Sequence, residues 1–277
     1  MKKQLFVLLL LCIPFSYIRA AQVDTLKVYS PKMQREIKCV IILPDTYSQK
    51  TTELFPVMYL LHGYGNNYKI WIEKKPSLPR LASSHNMIVV CPDGEASWYW
   101  DSPINPSSQF ETFLSKELVE YIDKNYRTIA NRKGRAITGL SMGGHGAMWT
   151  AIRHQDIFGA VGSMSGGLDI RPFPGYWKMN KQIGEYKDNT ERWNQYTVIT
   201  QLDKLTNNSL AIFIDCGVGD FFLQVNKDAH NMLLQKGINH DFILRPGGHD
   251  WDYWTNAVEY HMLFFKNYFQ GKHPLVK

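Results

Sequence analysis

From Val57 onward, short apolar runs rich in β-branched residues alternate with longer stretches of helical periodicity. The runs occupy positions 57–61, 87–91, 135–140, 160–164, 210–215 and 241–244. Runs of this kind predict strands buried on both faces, which is typical of a mostly parallel sheet with helices on each side. A chain of 277 residues can bury one substantial core of this type, so we expect a single α/β domain.

Two more strands and several helices complete the predicted fold. Residues 25–30 and 36–43 read as two strands joined by a turn around Pro31-Lys-Met33, which predicts an antiparallel start to the sheet. Ser108 and Glu111 have the spacing of a capping box, and the apolar residues that follow recur at helical intervals up to about Asn125. Further helices are expected after Gly143, Asp220 and Asp252.

The N-terminus has the order of a secretory signal. Met1, Lys2 and Lys3 precede an apolar run at positions 5–13, and small residues at positions 20 and 21 follow it. We therefore expect residues 1–21 to be a signal peptide and residues 22–277 to form the domain, in the periplasm or outside the cell. The run is shorter than the roughly 20 residues of a membrane span, so no stable membrane insertion is expected.

The charge pattern excludes one class of partner. The formal net charge is +6, and loss of Lys2, Lys3 and Arg19 with the signal would leave 6 − 3 = +3. Basic and acidic residues alternate along the chain, whereas nucleic-acid-binding proteins concentrate lysine and arginine on one stripe. We expect no nucleic-acid partner.

The cysteines indicate neither a disulfide framework nor a metal site. Cys39, Cys91 and Cys216 remain after the signal, and each lies in an apolar run that resembles a strand. They are expected to be small core residues. No spacing resembles that of a metal site, so neither a metal nor an organic cofactor is expected.

The segment Gly139-Leu-Ser141-Met-Gly143 lies where a predicted strand runs directly into a predicted helix. A serine at such a turn occupies a strained backbone, and glycines two positions before and after it remove side chains that would collide. The N-terminus of the following helix favours a developing negative charge. Ser141 is therefore the candidate nucleophile.

A serine hydroxyl needs a base to take its proton, and in this arrangement the chain order is serine, acid, histidine. His249 lies in a glycine-rich turn just after the last predicted strand and is the preferred base. The other histidines after Ser141 fall within predicted helices, at the start of a strand or in the tail: His145, His154, His230, His240, His261 and His273.

Two carboxylates compete for the role of the acid. Asp215 ends a predicted strand and Asp220 lies in the loop beyond it. Asp220 is favoured because a loop carboxylate can reach across to the histidine loop, whereas Asp215 is expected to cap local backbone groups. Asp250 and Asp252 rank lower because they would have to fold back onto His249.

The oxyanion of a tetrahedral intermediate needs two N–H donors. The backbone N–H groups of Tyr64, in the loop after the first parallel strand, and of Met142, after the serine, are the candidates. His62 is expected to be a structural hydrogen-bonding residue.

Two long connections, 92–107 and 165–205, are rich in aromatic residues, which disfavours disorder. We interpret them as walls or a lid over a site at the carboxyl ends of the strands. Aromatic rings there suit stacking on a sugar or a phenolic acid. The candidate substrate-binding residues are Trp98, Tyr99, Trp100 and Trp177.

The chain resembles the putative esterase family of the α/β-hydrolases, which includes feruloyl and acetyl xylan esterases, tributyrin esterases, S-formylglutathione hydrolases and mycolyltransferases. The resemblance rests on Tyr59-Leu-Leu-His-Gly63, Pro92-Asp-Gly94, Ser97-Trp-Tyr-Trp-Asp-Ser-Pro103, Gly139-Leu-Ser-Met-Gly-Gly144, positions 215–223 and Gly248-His249. It implies the α/β-hydrolase fold and places the acid at Asp220. Two departures are Gly65-Asn66, where many members have two glycines, and the extra phenylalanine in Asp220-Phe-Phe-Leu223.

Together these features predict a secreted serine esterase that forms an acyl-enzyme on Ser141. Export argues against the formylglutathione branch, and acetyl or feruloyl esters of plant polysaccharide fragments are the preferred substrates. Two alternatives stay open: an acyltransferase of the same fold, and a non-catalytic carbohydrate-binding homologue. The oligomeric state is not predicted.

Overall fold

The computed structural model describes residues 21–273. The predicted signal peptide lies outside the described residues except for Ala21. Within the described part, one sheet has the strand order β1-β2-β4-β3-β5-β6-β7-β8. The strands are β1 (Gln22–Ser30), β2 (Arg35–Leu43), β3 (Val57–Leu61), β4 (Ile88–Pro92), β5 (Arg135–Gly139), β6 (Ala160–Met164), β7 (Ala211–Gly217) and β8 (Asp241–Arg245). β1 and β2 are antiparallel, as is β2 with β4, and the remaining pairs are parallel.

Helices connect the parallel strands. They are α1 (Ile70–Lys74), α2 (Leu78–Ser84), α3 (Phe110–Thr112), α4 (Leu118–Asn125), α5 (Met142–Arg153), α6 (Asn180–Ile183), α7 (Thr190–Gln195), α8 (Val198–Gln201), α9 (Leu223–Gln235) and α10 (Trp251–Phe269). A π-helical segment, Phe113–Glu117, joins α3 to α4. The long connection after β6 is therefore not irregular: it contains α6, α7 and α8.

The sheet is buried on both faces. In β3, Val57, Tyr59 and Leu61 belong to one core cluster and Met58 and Leu60 to the other, as the two-residue repeat of a strand requires. The first cluster includes residues of α4, α5 and α9 (Ile122, Met148 and Ala229) and the second includes residues of α1, α2 and α10 (Trp71, Ala82 and Val258). The expected α/β architecture, with helices on both faces of a mostly parallel sheet, is confirmed.

The capping box predicted at Ser108 is wrong. The Ser108 hydroxyl is buried and has no hydrogen-bond partner among residues 21–273, and Glu111 instead accepts a hydrogen bond from Trp149 Nε1 at 2.8 Å. The helix N-terminus is capped by Asp101, whose Oδ1 accepts the Thr112 N–H at 2.9 Å. A distant carboxylate thus replaces the local cap.

The cysteine prediction is confirmed for the described residues. Cys39, Cys91 and Cys216 are free and buried, and burial raises the pKa of each thiol. None of the helices in residues 21–273 combines the length and the hydropathy that a membrane span requires.

His145 and His261 are completely buried. The indole N–H of Trp100 donates to His145 Nε2 at 2.9 Å, so the Nδ1–H of His145 donates to the Gly167 carbonyl at 2.8 Å. This neutral form satisfies both ring nitrogens. His261 lies 2.9 Å from the Thr138 hydroxyl through Nδ1. Burial lowers the pKa of His145 to about 4 and that of His261 to about 3.

We expect the folded protein to lose stability as the pH falls below about 6.5, where an unfolded histidine begins to bind a proton that these buried rings exclude. Above that pH neither ring lowers the stability in this way. Between pH 6.5 and pH 5, each histidine should lower the free energy of unfolding by about 2 kcal/mol. Urea unfolding of the wild type and His261→Gln at both pH values measures this. The variant should lose less stability than the wild type, and equal losses would contradict the prediction.

Candidate active site

Ser141 lies at the turn between β5 and α5. Its backbone has φ 54° and ψ −117°, a combination that non-glycine residues rarely adopt and that is strained. Its N–H donates to the Met164 carbonyl at 2.9 Å, and its own carbonyl accepts the His145 N–H at 3.0 Å. The neighbouring strand and the first turn of α5 therefore hold the serine in this conformation.

Two glycines permit the turn. A Cβ on Gly139 would lie 2.6 Å from the Gly143 carbonyl carbon, and a Cβ on Gly143 would lie 2.6 Å from the His62 carbonyl oxygen. Both distances are shorter than real Cβ contacts, and the opposing atoms belong to the backbone. The turn therefore requires glycine at these two positions, and it brings the loop after β3 against the start of α5.

The structure brings the three predicted catalytic side chains together. His249 Nε2 lies 2.9 Å from Ser141 Oγ, and His249 Nδ1 lies 3.0 Å and 2.9 Å from the two carboxylate oxygens of Asp220. A carboxylate can only accept, so Nδ1 carries the proton and the Nε2 lone pair faces the serine hydroxyl. The arrangement can move the serine proton onto the imidazole.

The Asp220 side chain is completely buried. One of its oxygens also accepts the Phe222 N–H at 2.7 Å, and the loop that carries it is joined to the histidine loop by the Gly219 N–H, which donates to the Gly247 carbonyl at 2.9 Å. These bonds fix the carboxylate against the imidazole. Burial strengthens the hydrogen bond because water does not compete for it.

The competing acids have other partners. Asp215 is buried, pairs with Arg245 Nη2 at 2.6 Å and accepts a hydrogen bond from the Tyr253 hydroxyl. The expectation that Asp215 caps local backbone groups is therefore wrong, because its partners lie on β8 and α10. Burial raises the pKa of its carboxyl, and Tyr253 and Arg245 offset this only in part. Asp250 caps α10 by accepting the Tyr253 N–H at 2.9 Å.

The two predicted oxyanion donors are backbone N–H groups without a protein partner in the described residues. Among residues 21–273, neither the Tyr64 N–H nor the Met142 N–H donates a hydrogen bond, and Met142 is the first residue of α5, where backbone N–H groups have no partner within the helix. His62 supports the Tyr64 loop: its Nε2 accepts the Gly94 N–H at 2.8 Å, so its Nδ1–H donates to the Gly63 carbonyl at 2.8 Å.

Three of the four predicted substrate-binding aromatics do not face the site. Trp98, Tyr99 and Trp100 are at most 1 % exposed, so their prediction as substrate-binding residues is wrong. Trp98 stacks on Trp100 at 5.7 Å between ring centroids, and the Tyr99 hydroxyl bonds to the backbone of His62 at 3.1 Å. These rings form the core beneath the site because their loop folds inward.

Trp177 is the predicted aromatic that remains at the surface. It is partly exposed and stacks on Phe221 with a centroid distance of 5.8 Å. Phe221 was not predicted as a site residue, yet its ring lies 4.1 Å from that of His249. Its only signal in the sequence is the extra phenylalanine directly after Asp220.

Comparison with known proteins agrees with this geometry. Residues 30–264 match the family described as Putative esterase. The chain belongs to this esterase family. It is 29% identical over 254 residues to an acetyl esterase of Caldicellulosiruptor saccharolyticus, covering 83% of the chain and 92% of that protein. The structure of a ferulic acid esterase is 31% identical, with a TM-score of 0.79 and coverage of 90% and 99%.

A third relative has a different activity. The diacylglycerol acyltransferase/mycolyltransferase of Mycolicibacterium smegmatis is 27% identical over 278 residues, covering 86% of the chain and 82% of the relative. The family and its fold thus support an esterase or acyltransferase of the α/β-hydrolase fold, and the esterase relatives support a carboxylic ester hydrolase.

No group of three or more histidine, cysteine, aspartate or glutamate side chains in the described part of the chain could hold a metal ion.

We expect Asp220→Asn to lower kcat/KM on p-nitrophenyl acetate by about ten-thousand-fold, because the amide would no longer hold the imidazole in the required tautomer. Asp215→Asn is the matched control: it should lower the melting temperature by disturbing the pair with Arg245 and leave most of the rate. Large loss of activity in Asp215→Asn with retention in Asp220→Asn would instead identify Asp215 as the acid.

Proposed function

We propose that this protein is an exported serine esterase that hydrolyses carboxylic esters through an acyl-enzyme on Ser141. The hydrogen-bonded chain from Ser141 Oγ through His249 to Asp220, with contacts of 2.9 Å to 3.0 Å, carries the proposal. It supplies a nucleophile, a base and an acid that orients the base.

In the first half of the reaction, His249 Nε2 takes the proton of Ser141 as Oγ bonds to the ester carbonyl carbon. The carbonyl electron pair moves onto oxygen, and the N–H groups of Tyr64 and Met142 hold the oxyanion. When the tetrahedral intermediate collapses, the bond to the alcohol oxygen breaks and His249 returns the proton to that oxygen. Asp220 stabilises the imidazolium in between.

In the second half, His249 takes a proton from water, and the hydroxide oxygen bonds to the acyl carbon. Collapse of this intermediate releases the carboxylic acid and returns the proton to Ser141 Oγ. The oxyanion donors act in both halves, and the loss of one such donor typically removes about 2.7–4 kcal/mol of transition-state stabilisation.

The proposed substrates are acetyl or feruloyl esters of plant polysaccharide fragments. Support comes from the acetyl esterase and ferulic acid esterase relatives and from the surface aromatic rings of Trp177 and Phe221 beside His249. Aromatic side chains offer a large apolar face on which a sugar ring can pack. The buried Trp98, Tyr99 and Trp100 give no support.

An acyltransferase is the second candidate, favoured by the similarity to the mycobacterial acyltransferase/mycolyltransferase. It would use the same acyl-enzyme but would require an alcohol acceptor to compete with water. Product analysis with added sugar acceptors separates the two activities. A non-catalytic carbohydrate-binding protein would have no need for the intact triad.

We expect the wild type to hydrolyse at least one ester of a panel comprising p-nitrophenyl acetate, p-nitrophenyl butyrate, methyl ferulate and acetylated xylo-oligosaccharides. Ser141→Ala should lose this activity, with kcat reduced by about a million-fold. A fluorophosphonate probe should label the wild type and not the variant. A correctly folded wild type that neither labels nor hydrolyses any ester would refute the proposal.

Export gives a separate prediction. The charged, apolar and small-residue order of the first 21 positions supports removal of this segment on secretion. Expression of the full chain in a secreting bacterial host should give a mature protein outside the cytoplasm that starts near Ala21, as N-terminal sequencing would show. A cytoplasmic product that retains Met1 would contradict export.

A further inference from the structure

Three aromatic side chains lie at the surface beside the catalytic histidine. Tyr176 is 60% exposed and Phe221 is 51% exposed, and Trp177 between them is partly exposed. We call Tyr176, Trp177 and Phe221 the aromatic wall. Apolar rings of this size at a polar site are a marker for ligand binding, because each could otherwise be buried at a gain in free energy.

The aromatic wall is continuous and begins at the imidazole. The ring of Phe221 lies 4.1 Å from that of His249 at an interplanar angle of 39°. Trp177 stacks on Phe221 at 5.8 Å and 17°, and Tyr176 lies 5.3 Å from Trp177. The wall therefore leads away from the reacting atoms along the histidine side of the site.

The wall is also fixed in place. Phe173 and the buried Phe222 pack beneath Trp177, with centroid distances of 5.7 Å and 5.3 Å. The Trp98 indole N–H donates to the Trp177 carbonyl at 3.4 Å. Trp177 and Lys178 both have positive φ, 49° and 54°, and such strain persists only where surrounding contacts impose it. The indole is thus held toward Phe221.

The chemistry decides which part of an ester meets this wall. His249 Nε2 must hand its proton to the oxygen of the departing alcohol, which therefore has to lie within hydrogen-bond reach of that nitrogen. The oxyanion donors Tyr64 and Met142 hold the carbonyl oxygen instead. The ring of Phe221 packs against that of His249, so an alcohol within reach of Nε2 would lie near the aromatic wall.

Resting on the proposed esterase function, we infer that the aromatic wall is the binding site for the alcohol portion of the substrate and that it receives the apolar C–H face of a sugar ring. Phe221 is the first contact and Trp177 the second. The wall carries no charge, so it suits a neutral sugar and selects for ring shape. The acyl group is bound elsewhere, and the wall does not select it.

Two ester series test this inference. In the first, the acyl group is always acetyl and the alcohol is ethanol or a xylo-oligosaccharide. In the second, the alcohol is always methanol and the acyl group is acetyl, butyryl or feruloyl. Phe221→Ala should lower kcat/KM for the acetylated xylo-oligosaccharide by about fivefold to tenfold relative to ethyl acetate. The same substitution should change kcat/KM for all three methyl esters by the same factor.

Product inhibition provides a binding measurement independent of turnover. Free xylotriose should inhibit Phe221→Ala about fivefold to tenfold more weakly than the wild type, and inhibition by free ferulate should be unchanged. Phe221→Leu should show an intermediate effect because it keeps an apolar surface without a ring. Tyr29→Ala, which removes a 58% exposed ring on β1, is the matched control and should behave as the wild type.

The outcomes separate the two proposals. If Phe221→Ala selectively loses activity on methyl ferulate and is inhibited more weakly by ferulate, the wall binds the acyl group. The inference is then wrong, although the enzyme is an esterase. Equal losses on every ester would also refute it. If the folded wild type shows no Ser141-dependent hydrolysis, the proposed function itself fails, and the inference fails with it.

Discussion

The strained backbone at Ser141 is the constraint on which the rest of the site depends. Backbone in a sparsely populated region costs of the order of 1–3 kcal/mol and is kept only where the surroundings impose it. Here the surroundings are β6, which accepts the Ser141 N–H, and α5, whose residues from Met142 to Ile152 are all buried. Because the helix cannot move away from the sheet, the serine hydroxyl stays at the carboxyl end of β5. The same close packing leaves the Met142 N–H free at the helix start.

A second set of contacts joins the strand and the helix on either side of the histidine loop, and Asp215 is at its centre. Its carboxylate joins Arg245 on β8 to Tyr253 on α10, and the histidine loop lies between these two residues. A buried ion pair is weak evidence for net stability but can fix geometry. The two aspartates on the β7 side of the site thus have different roles. Asp220 contacts the imidazole, and Asp215 joins the strand and the helix that flank the histidine loop.

The strands could be predicted from the sequence because an apolar run buried on both faces has few other interpretations. Asp220 could be ranked above Asp215 because position in a loop limits which carboxylate can reach the histidine. Sequence reasoning failed where side-chain direction depends on distant residues. Ser108 has the local spacing of a cap, but Asp101 takes that place. Trp98 and Trp100 lie in a long loop, as surface residues often do, but His145 and the core receive them. Only tertiary packing decides such cases.

The exposure of Phe221 also depends on tertiary packing. Phe221 and Phe222 are adjacent and chemically identical, yet one is 51% exposed and the other 1%. The Asp220 carboxylate accepts the Phe222 N–H and so helps to fix the turn in which Phe222 is buried and Phe221 packs on His249. The residue directly after the acid therefore lies against the catalytic imidazole. In this site the geometry that orients the histidine also places the ring that the departing alcohol meets first.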